Sequence, residues 1–381
     1  MNKAACITRV IPLKLLCEKG KNMQVSAKIT EIKYSPLLCK KLETFDFKSL
    51  KVALSKNSSF ILKIDENKHI AVSWWVSAKR TRSYPYARVY NTLYFQGKKI
   101  AIIPVFKDEG KQGDRDFLQW DTISLMSLLG VYVIISYYVD AKRSVRYDNK
   151  ITKQRFDIPQ INAEIFNLLS YQSDALHWNL SQADKICHIG QNALDAYVSI
   201  SERIGVQMYS EEQARKRISE ISEGKERFIS LSRNLARQAQ SRESKTVQSK
   251  ENLVGQKASI NIKNYLGGYY YFTSDEVVVD KNKIYLIEGK HSKKGIPTAD
   301  DIKDGLIKMI LFANLKKVKI AEKEYVPIPV LKLTTEKNTY NEMFAATASQ
   351  LKLLKLLKKE STQNNFQVMI NDVNLQNIEL E

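Results

Sequence analysis

The stretch YFTSDEVVVDKNKIYLIEGKHSKK, from Tyr271 to Lys294, carries the pattern that best predicts the fold of this chain. Its two apolar runs, EVVVD and KIYLIEGK, have the composition of strands, and the polar turn KNK between them predicts a hairpin. Asp275 directly precedes the first run, Glu288 lies in the second, and Lys290 follows two residues after Glu288. Because charge at a buried strand end costs free energy, we expect these three side chains to belong to a functional site.

The neighbouring segments extend this hairpin to a unit of α-β-β-β-α-β order within residues 246–345. A helix beginning near Ser249 is predicted by SKENLVGQKASINIKNYL, and the first strand by GGYYYFTSD. A long helix with Thr298 as its N-cap is predicted by PTADDIKDGLIKMILFANLKKV, and the last strand by YVPIPVLKLTT. The acidic residues at the start of this helix, Asp300, Asp301 and Asp304, are expected to be helix charges. A strand–helix–strand connection favours a parallel pair of strands in one sheet.

The three charged residues of the opening stretch have the chemistry of a metal-dependent phosphate site. The carboxylates of Asp275 and Glu288 are expected to converge at one sheet edge, where a backbone carbonyl and waters would complete the ligands that Mg²⁺ prefers. Such a metal lowers the pKa of bound water and stabilises charge on a phosphate. Lys290 faces the same side of the strand as Glu288, so it can position the water or stabilise the phosphate. The alternative is a surface salt bridge between Glu288 and Lys290.

This arrangement of Asp275 with Glu288-Gly289-Lys290 resembles the PD-(D/E)xK nuclease superfamily, and type II restriction endonucleases in particular. The resemblance implies that Asp275 and Glu288 bind Mg²⁺ and that Lys290 assists hydrolysis of a phosphodiester. It also implies a third acidic ligand from the helix before the first strand, for which Glu251 is the best candidate. The sequence departs from the family name at Ser274, which stands where the name has proline. The resemblance covers only the unit at residues 246–345.

The resemblance implies a function, which we state as an expectation. It is a Mg²⁺-dependent, sequence-specific double-stranded DNA endonuclease of the type II restriction kind, which hydrolyses phosphodiester bonds with a metal-activated water. A bacterial or archaeal cytoplasm and a cognate DNA methyltransferase that protects host DNA are implied as well. Because double-strand cleavage needs two active sites, we expect a homodimer. The alternatives are a structure-specific DNA repair or recombination nuclease, and a non-catalytic nucleic-acid-binding protein with a nuclease-like core.

The composition of the chain agrees with a polyanionic partner. Its 381 residues include 60 Lys and Arg against 41 Asp and Glu, a formal net charge of +19. Such a surplus favours binding to nucleic acid, with a ribosomal or membrane-surface role as the alternative. The 4 cysteines form no CxxC pair, so a zinc site is not expected. No stretch approaches the roughly 18 apolar residues of a membrane span, and the N-terminus makes a poor signal peptide.

Basic residues interleaved with tyrosines mark candidate DNA contacts. The segment AKRTRSYPYARVY, from Ala78 to Tyr90, predicts a loop or sheet-edge segment, since arginine reads guanine edges and phosphates and tyrosine bonds phosphates or stacks on bases. A soluble basic edge strand is the alternative. A charged helical stretch near residue 235 is a second candidate, and its alternative is a solvated helix face. The candidate contacts are Lys79, Arg80, Arg82, Tyr84, Tyr86, Arg88, Arg233, Arg237 and His291.

The chain as a whole predicts a mixed α/β (α+β) protein in four parts. Residues 1–160 predict an α/β region for DNA recognition, with strands at FILKI, HIAVSWWVSA, KIAIIPVF and VYVIISYYV and a helix between the last two. Residues 161–245 predict a basic helical connector. Residues 246–345 predict the nuclease core with a central mixed sheet. Residues 346–381 predict a C-terminal helix and tail, whose leucines pack on the preceding domain, with membrane or calmodulin-like binding as the alternative.

Overall fold

A computed structural model describes residues 23–78, 84–245, 256–264, 269–293, 295–335 and 347–380 of the chain. These residues form a mixed α/β protein, as the sequence predicts. The strands are β1 (Met23–Ile29), β2 (Thr44–Asp46), β3 (Ser59–Lys63), β4 (His69–Trp74), β5 (Lys99–Pro104), β6 (Phe106–Asp108), β7 (Arg115–Phe117), β8 (Val131–Ser136), β9 (Tyr138–Arg143), β10 (Ile151–Phe156), β11 (Gln256–Asn264), β12 (Tyr269–Asp280), β13 (Lys283–Ser292), β14 (Lys316–Ile320), β15 (Lys323–Thr335), β16 (Gln367–Ile370) and β17 (Val373–Asn374). The helices are α1 (Leu50–Lys56), α2 (Pro85–Tyr90), α3 (Trp120–Leu128), α4 (Ile158–Ser170), α5 (Ala175–Asp184), α6 (Ile186–Ile204), α7 (Glu211–Ser222), α8 (Lys225–Lys245), α9 (Ala299–Ala313) and α10 (Ala348–Gln363).

The first sheet lies in the N-terminal part of the chain and has the strand order β2-β3-β4-β5-β8. Strands β4, β5 and β8 run parallel to one another, and β3 is antiparallel to β4. Strands β3, β4, β5 and β8 are the four predicted strands, and α3 is the helix predicted between the last two. Helices α4 to α8 confirm the helical character of residues 161–245.

The second sheet has the strand order β13-β12-β11-β1-β14-β15-β16-β17, and β13 also pairs with β15. Strands β12 and β13 form the predicted hairpin around a turn at Lys281 and Asn282. Strands β13 and β15 are parallel and are connected through α9, which confirms the predicted crossover. Among the described residues, α8 is followed by β11, β12, β13, α9, β14 and β15 in that order.

Both ends of the described chain complete this second sheet. Strand β1 pairs in parallel with β11 and antiparallel with β14, because its apolar residues Val25, Ala27 and Ile29 alternate with exposed polar ones and suit a half-buried strand. Met23–Ile29, within the predicted region 1–160, therefore belongs to the second sheet. Strands β16 and β17 extend the sheet beyond β15, and α10 buries leucines, as the sequence predicts for the tail.

Three local predictions within residues 246–345 are corrected. The described part of the segment predicted as the first helix is a strand, β11, in which Ala258, Ile260 and Ile262 are buried every second residue. The rest of that segment, 249–255 and 265–266, lies outside the described residues. The runs GGYYYFTSD and EVVVD belong to one long strand, β12, instead of two. The helix predicted to run through Val318 ends at Ala313, and Lys316–Ile320 form strand β14, which was not predicted.

The hydrophobic core runs through both sheets. One cluster of buried side chains includes Ile103 from β5 and Ile260 from β11, so the N-terminal and C-terminal parts share it. A second cluster lies on the opposite face of the first sheet and includes Phe60 and Ile102. No helix within the described ranges is both long and apolar enough to cross a membrane.

A buried carboxylate ties the C-terminal helix to the segment that follows β1. Glu360 of α10 is 0% exposed. Its Oε1 accepts hydrogen bonds from the hydroxyls of Tyr34 and Tyr90, both at 2.6 Å. Its Oε2 accepts from the backbone N–H groups of Leu37 at 2.8 Å and Leu38 at 3.0 Å. These donors compensate the cost of burying the carboxylate, so Glu360 fixes the chain path between the two sheets.

We expect Glu360→Ala to lower the free energy of unfolding by about 3 kcal/mol, because several buried donors lose their acceptor. Glu360→Gln keeps one acceptor oxygen and is expected to cost less. Urea unfolding followed by circular dichroism measures both changes. The control is Lys359→Ala on the exposed face of α10, which should cost less than about 0.5 kcal/mol. Equal losses in Glu360→Ala and Lys359→Ala would contradict this role of Glu360.

Candidate active site

Strand β12 changes partners in its middle, and the candidate site lies at this change. Its first half pairs with β11, and from Glu276 onward it pairs with β13. The ladder with β11 shifts by one residue between Ser274 and Val277, so a β-bulge carries Asp275 between the two ladders. Bulges redirect side chains and are common beside active sites. The bulge thus accounts for the position of Asp275.

Ser274, which stands where the family name has proline, helps to fix this crossing. Its hydroxyl lies 2.8 Å from the carbonyl oxygens of both Glu276 and Ile287. The residue is fully buried. The hydroxyl therefore links β12 to β13 at the point where their backbone ladder begins, a bond that proline cannot make.

The carboxyl groups of Asp275 and Glu288, which the sequence predicts to converge, lie beside each other and interact electrostatically. Glu288 is 3% exposed, and Asp275 Oδ2 accepts a 2.8 Å bond from the backbone N–H of Gly289. Burial, followed by the negative charge of Glu288, raises the pKa of Asp275 to about 7. The pair therefore holds one proton up to near-neutral pH.

Two lysines keep Glu288 ionised. Lys308 Nζ lies 2.5 Å from Glu288 Oε2, and Lys290 Nζ lies 3.2 Å from Oε1. Burial disfavours the ionised form, but the charges of Lys308 and Lys290 outweigh burial and lower the pKa of Glu288 to about 2. Lys308 Nζ also donates to the carbonyl of Thr273 at 3.2 Å. The shared proton therefore resides on Asp275.

Lys290 is held by a second carboxylate as well as by Glu288. Its Nζ lies 3.0 Å from Asp304 Oδ2. Burial would lower the pKa of Lys290, yet the charges of Glu288 and Asp304 raise it above its ordinary value. Lys290 is therefore a cation that can donate hydrogen bonds and stabilise negative charge. In this state it has no lone pair with which to take a proton from water.

Helix α9 supplies two residues of the site whose role the sequence did not predict. Asp304 was expected to be a helix charge, but it pairs with Lys290, and Lys308 one turn later pairs with Glu288. Asp304 and Lys308 are four residues apart, which puts both on one face of the helix. This spacing is the sequence feature from which their shared role could have been predicted. Gly305 between them lets the helix come close to the sheet, because an added Cβ would lie 2.7 Å from Leu331 Cδ1. The predicted N-cap Thr298 is confirmed by a capping box.

The donor set fits a hard divalent cation in part. Two neighbouring buried carboxyls, one of which retains a proton because of burial and of the other's charge, are an arrangement that a cation relieves. Over the described ranges, no group of three or more His, Cys, Asp and Glu side chains could hold a metal. Asp275 and Glu288 would therefore supply only part of the shell, which suits Mg²⁺ because it keeps several waters. The predicted third ligand, Glu251, lies outside the described residues.

The predicted DNA contacts near residue 85 are placed differently from the expectation. Lys79, Arg80 and Arg82 lie outside the described residues, and the segment after them is helix α2, not a loop or an edge strand. Pro85 begins this helix because its fixed φ suits the first turn.

The side chains of α2 face mainly inward. Tyr86 is 6% exposed and packs edge-on against Trp75, so in this structure it is not available to stack on a base. Arg88 lies over the ring of Trp74 at 4.5 Å and donates to the Trp74 carbonyl, which indicates a packing role. Tyr84, just before the helix, is 48% exposed, and a hydrogen bond to Asp301 raises its pKa.

The other predicted contacts lie on α8 and β13. Arg233 and Arg237 of α8 stack over Tyr269 and Tyr271 of β12, with the guanidinium carbons 5.1 and 5.4 Å from the ring centroids. Strand β12 thus carries both the stacked tyrosines and Asp275. His291, next to Lys290, has its Nδ1 3.0 Å from the hydroxyl of Thr334 on β15.

No protein-family model, curated protein or solved structure matches this chain.

We expect Asp275→Asn to stabilise the metal-free protein increasingly as pH rises from 4 to 8. The pKa of Asp275 is about 7 in the folded protein and near its ordinary value of 3.8 once unfolded. The unfolded state therefore loses this proton first, and wild-type stability falls across that pH interval. Asparagine removes the titration, so the variant should gain on the order of 3 kcal/mol relative to wild type by pH 8.

Urea unfolding in EDTA at both pH values measures this difference. The control is Asp372→Asn, whose side chain is 93% exposed. Stability curves that run parallel for Asp275→Asn and wild type would show that burial and Glu288 do not raise the pKa of Asp275.

Proposed function

We propose that this chain is a Mg²⁺-dependent endonuclease of the PD-(D/E)xK kind that cleaves double-stranded DNA at specific sequences. One observation carries the proposal: two buried carboxyls, Asp275 and Glu288, lie in contact beside the cation of Lys290 at the bulge of β12. A structural ion pair needs only one carboxylate. A second buried carboxyl that retains its proton adds cost unless a ligand binds there.

The order of elements supports the same family. Helix α8, followed by β11, β12, β13, α9 and β15, reproduces α-β-β-β-α-β order with β14 inserted before the last strand. In this reading α8 takes the place of the helix that the sequence predicts near Ser249. The bulge then brings Asp275 from the second strand beside Glu288 on the third, as the resemblance implies.

In the proposed reaction, Asp275 and Glu288 would hold the metal. When bound, Mg²⁺ would supply positive charge at the scissile phosphate and make a coordinated water more acidic. Asp275 would have to be ionised to act as a ligand, so it would lose its proton. Lys308 holds Oε2 of Glu288 and so orients the carboxylate. Buried supports of this kind keep catalytic groups in a fixed geometry.

Lys290 acts on the phosphate in this proposal. Its ammonium is directed at Glu288 Oε1 and Asp304 Oδ2 and can donate to phosphate oxygens where negative charge develops. Water adds to phosphorus, one P–O ester bond breaks, and the proton of the water ends on the leaving oxygen. The products are a phosphomonoester end and a hydroxyl end.

The wider proposal rests on the charge and the family resemblance. The net charge of +19 favours DNA as the partner. Cleavage of both strands requires two copies of the site, so we propose a homodimer on DNA. A restriction enzyme also needs a cognate methyltransferase in the same cell, which places the protein in a bacterial or archaeal cytoplasm.

The test is incubation of the purified protein with unmethylated phage DNA in Mg²⁺ and in EDTA. We expect discrete fragments that require Mg²⁺, and we expect Lys290→Ala to abolish them without loss of DNA binding, since the lysine acts on the transition state. Lys332→Ala is the matched control. Lys332 lies opposite Gly289 in the β13–β15 register, so its side chain faces away from Glu288. The Lys332→Ala variant should therefore cleave DNA as wild type does.

The other outcomes separate the alternatives. A smear of products would indicate a nuclease that recognises DNA structure or ends instead of a sequence. A gel shift without cleavage under any divalent metal would indicate a binding protein with a nuclease-like core. Equal cleavage by Lys290→Ala and wild type would remove this site from the reaction.

A further inference from the structure

One face of the second sheet carries a row of lysines that neither the fold nor the candidate active site uses. On β1, the residues that point away from the core, Gln24, Ser26 and Lys28, are all exposed. Lys28 lies opposite Lys263 of β11 in a parallel register, and Ser26 lies opposite Asn261. Residues opposite each other on neighbouring strands share a face. The two lysines therefore stand side by side, and both are exposed.

Strand β14 adds lysines to the same face through a bulge. Its register with β1 pairs Ser26 with Lys319 and Lys28 with Lys316, so one extra residue is accommodated between them. Without the bulge, two residues three apart would point to opposite faces. Lys316 also donates to the hydroxyl of Thr30, which continues the exposed alternation of β1. Lys316 and Lys319 of β14 therefore lie on the same sheet face as Lys28.

Strand β12 completes the row on the other side. Tyr269 lies opposite Lys263 in the β11–β12 register, and Arg233 of α8 stacks over its ring. The row thus reads Tyr269, Lys263, Lys28 and Lys316 across four strands, a span of about 14 Å at the usual strand spacing. We call these four residues and Arg233 the lysine row.

The lysine row costs stability if nothing binds to it. Like charges opposite each other on neighbouring strands repel, and Lys28 and Lys263 are such a pair. Glu31 lies 3.6 Å from Lys316 Nζ, but it also pairs with Lys33 at 3.2 Å, so it offsets only part of the charge. A line of exposed cations on a sheet surface matches a line of phosphates, which release counterions when they are neutralised.

We propose that the lysine row binds the phosphate backbone of double-stranded DNA. The choice of DNA as the polyanion rests on the proposed function, whereas the row itself does not. Strand β12 links the two sites, because Asp275 follows Tyr269 by six residues, about 20 Å along the strand. The row lies on the sheet face opposite Glu288, so a duplex bound there would contact the protein outside the candidate active site.

The test compares two triple variants that remove the same charge. The first, Lys28→Gln/Lys263→Gln/Lys316→Gln, removes the three lysines of the row. The second, Lys48→Gln/Lys51→Gln/Lys56→Gln, removes three exposed lysines in and next to α1. Binding of a fluorescein-labelled DNA duplex is measured by anisotropy in EDTA over a range of salt concentrations. We expect the first variant to bind at least about tenfold more weakly, with a salt slope shallower by about 3. The α1 variant should bind nearly as wild type does.

A conservative variant guards against misfolding as the cause. Lys28→Arg/Lys263→Arg/Lys316→Arg keeps the charges and should restore affinity and salt slope. Equal binding by both glutamine variants would overturn the proposal. Tighter binding of the wild type to vesicles of anionic phospholipid than to DNA, with loss in the row variant, would overturn the choice of DNA. The binding assay contains EDTA and therefore measures DNA binding without cleavage. If binding depends on the row but no Mg²⁺-dependent cleavage is found in the separate cleavage test, only the proposed function is contradicted.

Discussion

The candidate active site depends on the change of partner within β12. If β12 paired regularly with β11 and β13 along its full length, the side chain of Asp275 would follow the regular alternation of the strand. The bulge between Ser274 and Val277 breaks that regularity and brings Asp275 against Glu288. The hydroxyl of Ser274 spans the break through the carbonyl of Ile287. A single extra residue in one strand thus decides which side chains meet, because side-chain direction alternates along a strand.

The two carboxyl groups of the candidate active site are neutralised unequally. Lys308 and Lys290 neutralise Glu288 and hold its pKa at about 2, whereas burial beside that carboxylate raises the pKa of Asp275 to about 7. One carboxyl is fully compensated, and the other retains its proton instead of finding a cation. A pair of titratable groups driven apart in this way is typical of functional sites. Asp304 completes the set by holding Lys290 within reach.

The second sheet carries the acidic pair of Asp275 and Glu288 and, on its outer face, a row of positively charged side chains. Its inner face is apolar, as Ala258 and Ile260 show, while its outer face presents Lys28 and Lys263 in register. A long-range positive field would draw a polyanion to the sheet and leave the chemistry to the short-range contacts near Asp275. Part of the excess of basic residues in the sequence therefore lies on this outer face.

The sequence by itself determined the β12–β13 hairpin, the crossover through α9 and the grouping of Asp275, Glu288 and Lys290, because composition, turn chemistry and alternation act over a few residues. It did not reveal that Met23–Ile29 pairs with a strand more than two hundred positions later, or that Lys308 neutralises Glu288. It also misjudged β11 and α2, whose short patterns suit more than one element. Strand partners, bulges and ion pairs across elements were decided only by the tertiary structure, since they depend on which distant segments share one core.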